Sequence, residues 1–159
     1  MFEIMICPIK QLYMLALDGD MSEVAVLAVS SYDISQEKLK VFSKKLCLNF
    51  NDITNAADAL AFTDDKAKQI AEYIKTLPDD LDTLFVCCDS GQSRSSAMAA
   101  AVLRYKGFDD MKIWRNPKYC PNPLVYKLLC KAFKIDVTDE EVNEKIKINE
   151  KAYSDAKKR

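Results

Sequence analysis

Two runs of the chain, EVAVLAVS (residues 23–30) and DTLFVCC (residues 82–88), are apolar at consecutive rather than alternate positions. A strand with one wet face alternates, whereas a strand apolar throughout is covered on both sides, as in a parallel sheet between helices. The intervening segments fit that architecture. FEIMIC reads as a short first strand ended by Pro8, and PIKQLYMLAL as a helix with Ile9, Leu12, Tyr13 and Leu15 along it. KLCLNF reads as a third strand. Thr63 is an N-cap with Asp64 and Asp65 behind it, opening an amphipathic helix over 64–77 whose apolar face is Ala67, Ile70, Ala71, Ile74 and Leu77, with Pro78 ending it. A helix from Ser93 to Lys106 follows the fourth strand and stops at Gly107. Beyond a loop, Asn122 caps a helix with Pro123 at its first position, and Thr138 with Glu141 forms a capping box for a last, charged helix. The expected fold is α/β and three-layered, a mostly parallel sheet of about four or five strands flanked by helices. In such sheets ligands lie at the carboxyl ends of the strands, which is where Cys87 and Cys88 fall.

The chain has 159 residues and is 49% hydrophobic, the size and composition of one domain over 1–159. Lys and Arg total 23 against 24 for Asp and Glu, so nothing in the charge balance calls for a nucleic-acid or anionic-membrane partner. Apolar runs such as Val24 to Val29 and Ala97 to Leu103 are far shorter than the roughly 20 residues that span a bilayer. MFEIMICPIK lacks the pattern of an export leader, so a cytoplasmic location and free thiols are expected for the six cysteines. Histidine is absent altogether. Together with the lack of any CxxC spacing, this argues against a zinc site, and it excludes a Ser-His-Asp triad, a Cys-His protease pair and a histidine phosphocarrier. No metal or other cofactor is expected.

Between strand and helix lies DSGQS, enclosed by Cys88 and Arg94. A loop this short between such elements must curl and present backbone N–H groups at a helix N-terminus, which is an anion site. Gly91 permits a positive φ or a close backbone approach. Arg94 adds a planar fork able to hold two phosphate oxygens at once. Helix N–H groups and an arginine favour a thiolate, and a thiolate beside a bound oxyanion is a nucleophile placed for in-line attack on phosphorus.

CDSGQSRS matches in full the C-x-x-G-x-x-R-S/T loop of the cysteine-dependent protein tyrosine phosphatases. The motif's position past the middle of the chain resembles the dual-specificity branch. LNFNDI upstream and NPKYCPNPLVYKLL downstream are similar to small prokaryotic predicted tyrosine phosphatases, and the resemblance spans about Leu46 to Phe133. It implies Cys88 as nucleophile, Arg94 as phosphate ligand and Ser95 as the hydroxyl that eases departure of the thiolate. The amides of Asp89, Ser90, Gly91, Gln92, Ser93 and Arg94 would hold the phosphoryl oxygens. Asp52 aligns best with the general acid, and Asp58 competes for that role. The implied substrate is a phosphorylated protein or a small phosphate monoester, cleaved through a phosphocysteine intermediate without metal.

Two positions depart from that pattern. Cys87 stands where the family usually has histidine, and Asp89 puts a carboxylate beside the anion site, which is tolerable only if its side chain turns away. Cys87, Cys47 or Cys120 could pair with Cys88 in a reversible disulfide, whereas Cys7, Cys47 and Cys130 read more simply as small buried hydrophobes. Trp114 and Tyr119 either wall a substrate entrance or pack a loop on the core, and Arg115 reads as a solvated charge. Two other functions stay open. A non-catalytic phosphate-binding pseudophosphatase would explain the missing histidine, and a rhodanese-like sulfurtransferase also uses a cysteine in a strand-to-helix loop.

Overall fold

The computed structural model describes residues 2–159. Its strands are β1 (Glu3–Pro8), β2 (Val24–Ser30), β3 (Lys44–Asn49) and β4 (Thr83–Cys88). The helices are α1 (Ile9–Leu15), α2 (Asp64–Thr76), α3 (Arg94–Tyr105), α4 (Met111–Trp114), α5 (Pro123–Ala132) and α6 (Asp139–Lys157). All strand pairings are parallel, in the order β1-β4-β2-β3. The two continuously apolar runs are thus the two central strands, each paired on both sides. Their burial on both faces is the physical counterpart of their missing alternation.

The register places Cys88 beside Pro8 of β1, and Cys87 between Cys7 of β1 and Ala28 of β2. Any loop leaving β4 therefore emerges between the ends of both neighbours. Successive side chains of a strand point to opposite faces, so the sheet divides the core in two. On one face Leu27, Val29, Leu84, Val86 and Cys88 pack with α2, α3 and α5. On the other, Val26, Ala28, Phe85 and Cys87 pack with Cys7, Leu12 of α1, and Leu39 and Phe42.

The caps act as the sequence indicates. Thr63 Oγ1 accepts from the Lys66 N–H, Asn122 Oδ1 from the N–H groups of Leu124 and Val125, and Thr138 Oγ1 from the Glu141 N–H. Helix α3 is buried from Arg94 to Leu103, with small side chains at Ser95, Ser96, Ala97, Ala99, Ala100 and Ala101 that permit close packing on the sheet. Two features depart from expectation. The loop after Gly107 contains the short helix α4, where Trp114 is buried and meets Tyr126 edge-on with ring centroids 5.2 Å apart. Trp114 is therefore a core residue and no part of a substrate entrance. The charged helix α6 also buries Val142, Lys145 and Asn149 along one stripe, so its inner face is partly polar. Among the described residues no helix is long and apolar enough to cross a membrane.

Candidate active site

Cys88 is the last residue of β4 and Arg94 the first of α3, and the chain between them forms a tight bowl. Gly91 makes the bowl possible. Its φ is +69°, and a Cβ there would lie 2.7 Å from Pro8 N and 2.9 Å from Cys7 C, so the loop rests directly on the backbone of β1. The outward carbonyls are engaged: Gln92 O accepts from the Cys120 N–H at 3.0 Å and Ser93 O from the Asn122 N–H at 3.2 Å. Ser96 Oγ reaches the same two carbonyls at 2.5 and 3.0 Å. Among the described residues, the N–H groups of Ser90, Gly91, Gln92 and Ser93 donate to no protein acceptor. Free amides in a short loop that leads into a helix N-terminus are donors able to take an oxyanion.

The buried Cys88 thiol lies 3.1 Å from Ser95 Oγ and donates to it; with the sulfur ionised, the hydroxyl donates instead. Arg94 is 5% exposed. Its Nη1 donates to Phe50 O at 2.7 Å and to Ser31 Oγ at 3.0 Å, and its Nη2 to Asp89 Oδ2 at 2.8 Å. Its Nε is buried with no partner. A guanidinium has five N–H donors, so the two left without a protein acceptor are Nε–H and one Nη2–H. Nε and Nη2, each with a free donor, can act together as a bidentate fork for an anion.

Asp52, in the loop after β3, comes to the bowl. Its Oδ1 accepts from Ser93 Oγ and from Asn122 Nδ2, both at 2.8 Å. Asn122 thus does two jobs. Its carbonyl oxygen caps α5, and its amide nitrogen ties Asp52 and Ile53 O to that helix. Asp58 is exposed and its carboxylate accepts from the Leu60 N–H in its own turn, with no hydrogen bond to the Cys88–Arg94 loop.

Asp89 turns away from the bowl. Its Oδ1 accepts from Ser30 Oγ at 2.5 Å and its Oδ2 from the Ser31 N–H at 3.1 Å, both at the end of β2. Partial burial works to raise its pKa, but the hydrogen bonds from Ser30, Ser31 and Arg94 outweigh this and hold the carboxyl below its ordinary range. Ser90 and Gln92 are exposed on the rim, while Ser93 is half-buried. Ser30, Ser31 and Phe50 O carry no sequence signal of their role, because only the strand order brings them to the arginine.

All six cysteines are free. Cys87 contacts Cys7, with Sγ atoms 3.1 Å apart on the face opposite Cys88. The hydrogen bond from Cys87 holds the Cys7 thiol below its ordinary pKa and pushes Cys87 well above its own. Cys47 is partly buried and Cys120 exposed, while Cys130 is buried and pushed up to about 12 by its burial.

No protein-family model and no curated protein matches the sequence. The architecture does match solved phosphatases. PTPMT1 in complex with PI(5)P superposes with a TM-score of 0.50 at 16% identity, over 97% of this chain and 94% of that one. The PTP-2 phosphatase of Cydia pomonella superposes with a TM-score of 0.55 at 14% identity, over 81% of this chain and 84% of that one. The chain has the fold of the cysteine-dependent protein tyrosine phosphatases.

Proposed function

We propose that this protein hydrolyses phosphate monoesters through a phosphocysteine on Cys88. The loop amides and the free edge of Arg94 take the non-bridging oxygens, and the Cys88 thiolate attacks phosphorus opposite the ester oxygen. Asp52 gives its proton to that departing oxygen. In the second half, Asp52 takes a proton from water as the water attacks the phosphocysteine. Orthophosphate leaves, and Ser95 donates its O–H to the sulfur as the S–P bond breaks. The substrate is a phosphotyrosine or dual-specificity phosphoprotein, or a small monoester. The phosphoinositide bound by PTPMT1 shows that a phosphate monoester is held on that protein's version of the fold, which supports the class. A sulfur nucleophile must stay reduced, in keeping with the cytoplasmic location expected from the sequence.

The observation that carries this reading is the attachment of Asp52 to Ser93. An anion-binding loop needs no carboxylate at its rim, whereas a hydrolase needs an acid there. Hydrolysis of p-nitrophenyl phosphate between about pH 5 and 8, with reductant and EDTA, tests it. Cys88→Ser abolishes turnover, Arg94→Ala raises KM and lowers kcat, and Asp52→Asn lowers kcat by about a hundred-fold or more. A protein that binds orthophosphate but turns nothing over refutes the hydrolase; thiocyanate formation from cyanide in its place would mark a sulfurtransferase.

A further inference from the structure

Arg94 can present its free edge to an anion only if the rest of the guanidinium is held, and three acceptors hold it. Phe50 O and Ser31 Oγ occupy both donors of Nη1, and the Asp89 carboxylate occupies one donor of Nη2. Asp89 is the only charged member of that set. It is itself held from two sides, by Ser30 Oγ and by the Ser31 N–H, so its position is inherited from the end of β2. Nε, buried and unpartnered, is claimed by no protein group.

We propose that Asp89 is the residue that positions the arginine for anion capture. Anchored to β2, it grips Nη2 from behind and keeps the Nε–Nη2 edge available to the bowl. The acid that the sequence presents as a liability, one residue after the nucleophile, is an orienting counter-charge. Its partner Arg94 lies five positions on, across the bowl. The Asp89–Arg94 pair is close to neutral overall, so capture rests on directed N–H donors as much as on net positive charge. The Asp89 side chain touches no substrate in this scheme and acts through Arg94. The proposal deepens the phosphatase reading and rests on it only for turnover, because anion capture can be measured separately.

The test uses the whole chain. Alkylation of Cys88 by iodoacetate, followed against orthophosphate concentration, reports phosphate occupancy without any catalytic step, and kcat and KM are measured alongside. Asp89→Ala is expected to weaken orthophosphate protection by about ten-fold or more, equivalent to losing one charge-assisted hydrogen bond. Asp89→Asn, which keeps an acceptor for Arg94, restores most of that loss. Should Asp89→Ala fail to fold, Asp89→Ser carries the same expectation, since its hydroxyl is too short to reach the guanidinium. An Asp89→Ala protein protected as well as the parent, or better, overturns the proposal, as does an Asp89→Asn protein equally weak at an unchanged melting temperature. A parent that is protected by phosphate yet hydrolyses nothing removes the hydrolase reading and leaves this test intact. A parent not protected at all removes both.

Discussion

Gly91 sits where the loop touches the first strand, and a methyl group has no room there. Two costs add in a Gly91→Ala variant: a positive φ, worth about 1–3 kcal/mol for a strained residue, and a Cβ driven into backbone atoms that cannot rotate aside. The expected result is a lower melting temperature together with weakened orthophosphate protection of Cys88. Unchanged values would show that β1 yields at Pro8. The need for glycine was legible in the motif, because a bowl of five residues must turn sharply somewhere. That the obstacle is the Cys7–Pro8 peptide was not, since nothing in residues 7–8 announces a neighbour more than eighty positions away. The two candidate acids show the same limit. Asp52 and Asp58 are alike in type and close in sequence, and they are told apart only by the Ser93 and Asn122 side chains that reach the first.

At the scale of elements, β4 sends Cys88 to one face of the sheet and Cys87 to the other. Period-two alternation therefore separates thiols that are adjacent in sequence, and parallel register joins thiols that are distant, Cys7 and Cys87. Neighbouring strands lie about 4.8 Å apart, within the Cα range a disulfide accepts. Mild oxidation with a diazene, which takes one hydrogen from each thiol and leaves a disulfide and a hydrazine, is expected to link Cys7 to Cys87. Peptide mapping should find that bond, with Cys88 still open to alkylation; a bond joining Cys88 to Cys87 would contradict the sheet geometry. Both central strands and the helices with clear caps were readable because their signals are local. The order β1-β4-β2-β3 was not, because it depends on which surfaces pair.

At the scale of the molecule, the C-terminal helices are joined by a partly buried polar network. Asp110 accepts from Lys145 Nζ at 3.2 Å and from the Tyr126 hydroxyl, and Arg104 donates to Tyr126 and to Glu141. The pair Asp110–Lys145 is almost fully buried, with side chains 8% exposed on both sides. Removing one partner leaves the other charge stranded, which costs about 3–5 kcal/mol. Asp110→Ala is thus expected to lower the urea midpoint markedly, whereas a comparable change at the exposed Lys147–Glu144 pair alters the unfolding free energy by under about 1 kcal/mol and moves the midpoint little. Equal midpoints for the two variants would show that water reaches Lys145. The charges of α6 gave no hint of this, since Lys145 differs from its exposed neighbours only in where the other helices fall.

Helix α6 also reaches the bowl at one remove. Asn149 holds the carbonyls of Trp114 and Tyr119, and the next residue, Cys120, gives its N–H to Gln92 O. A nascent chain that has emerged only as far as Tyr105 already contains every letter of CDSGQSRS. It has neither the Cys120 amide nor Asn122 to hold the carbonyls of Gln92 and Ser93, so during synthesis the thiol exists well before the contacts that shape the loop around it.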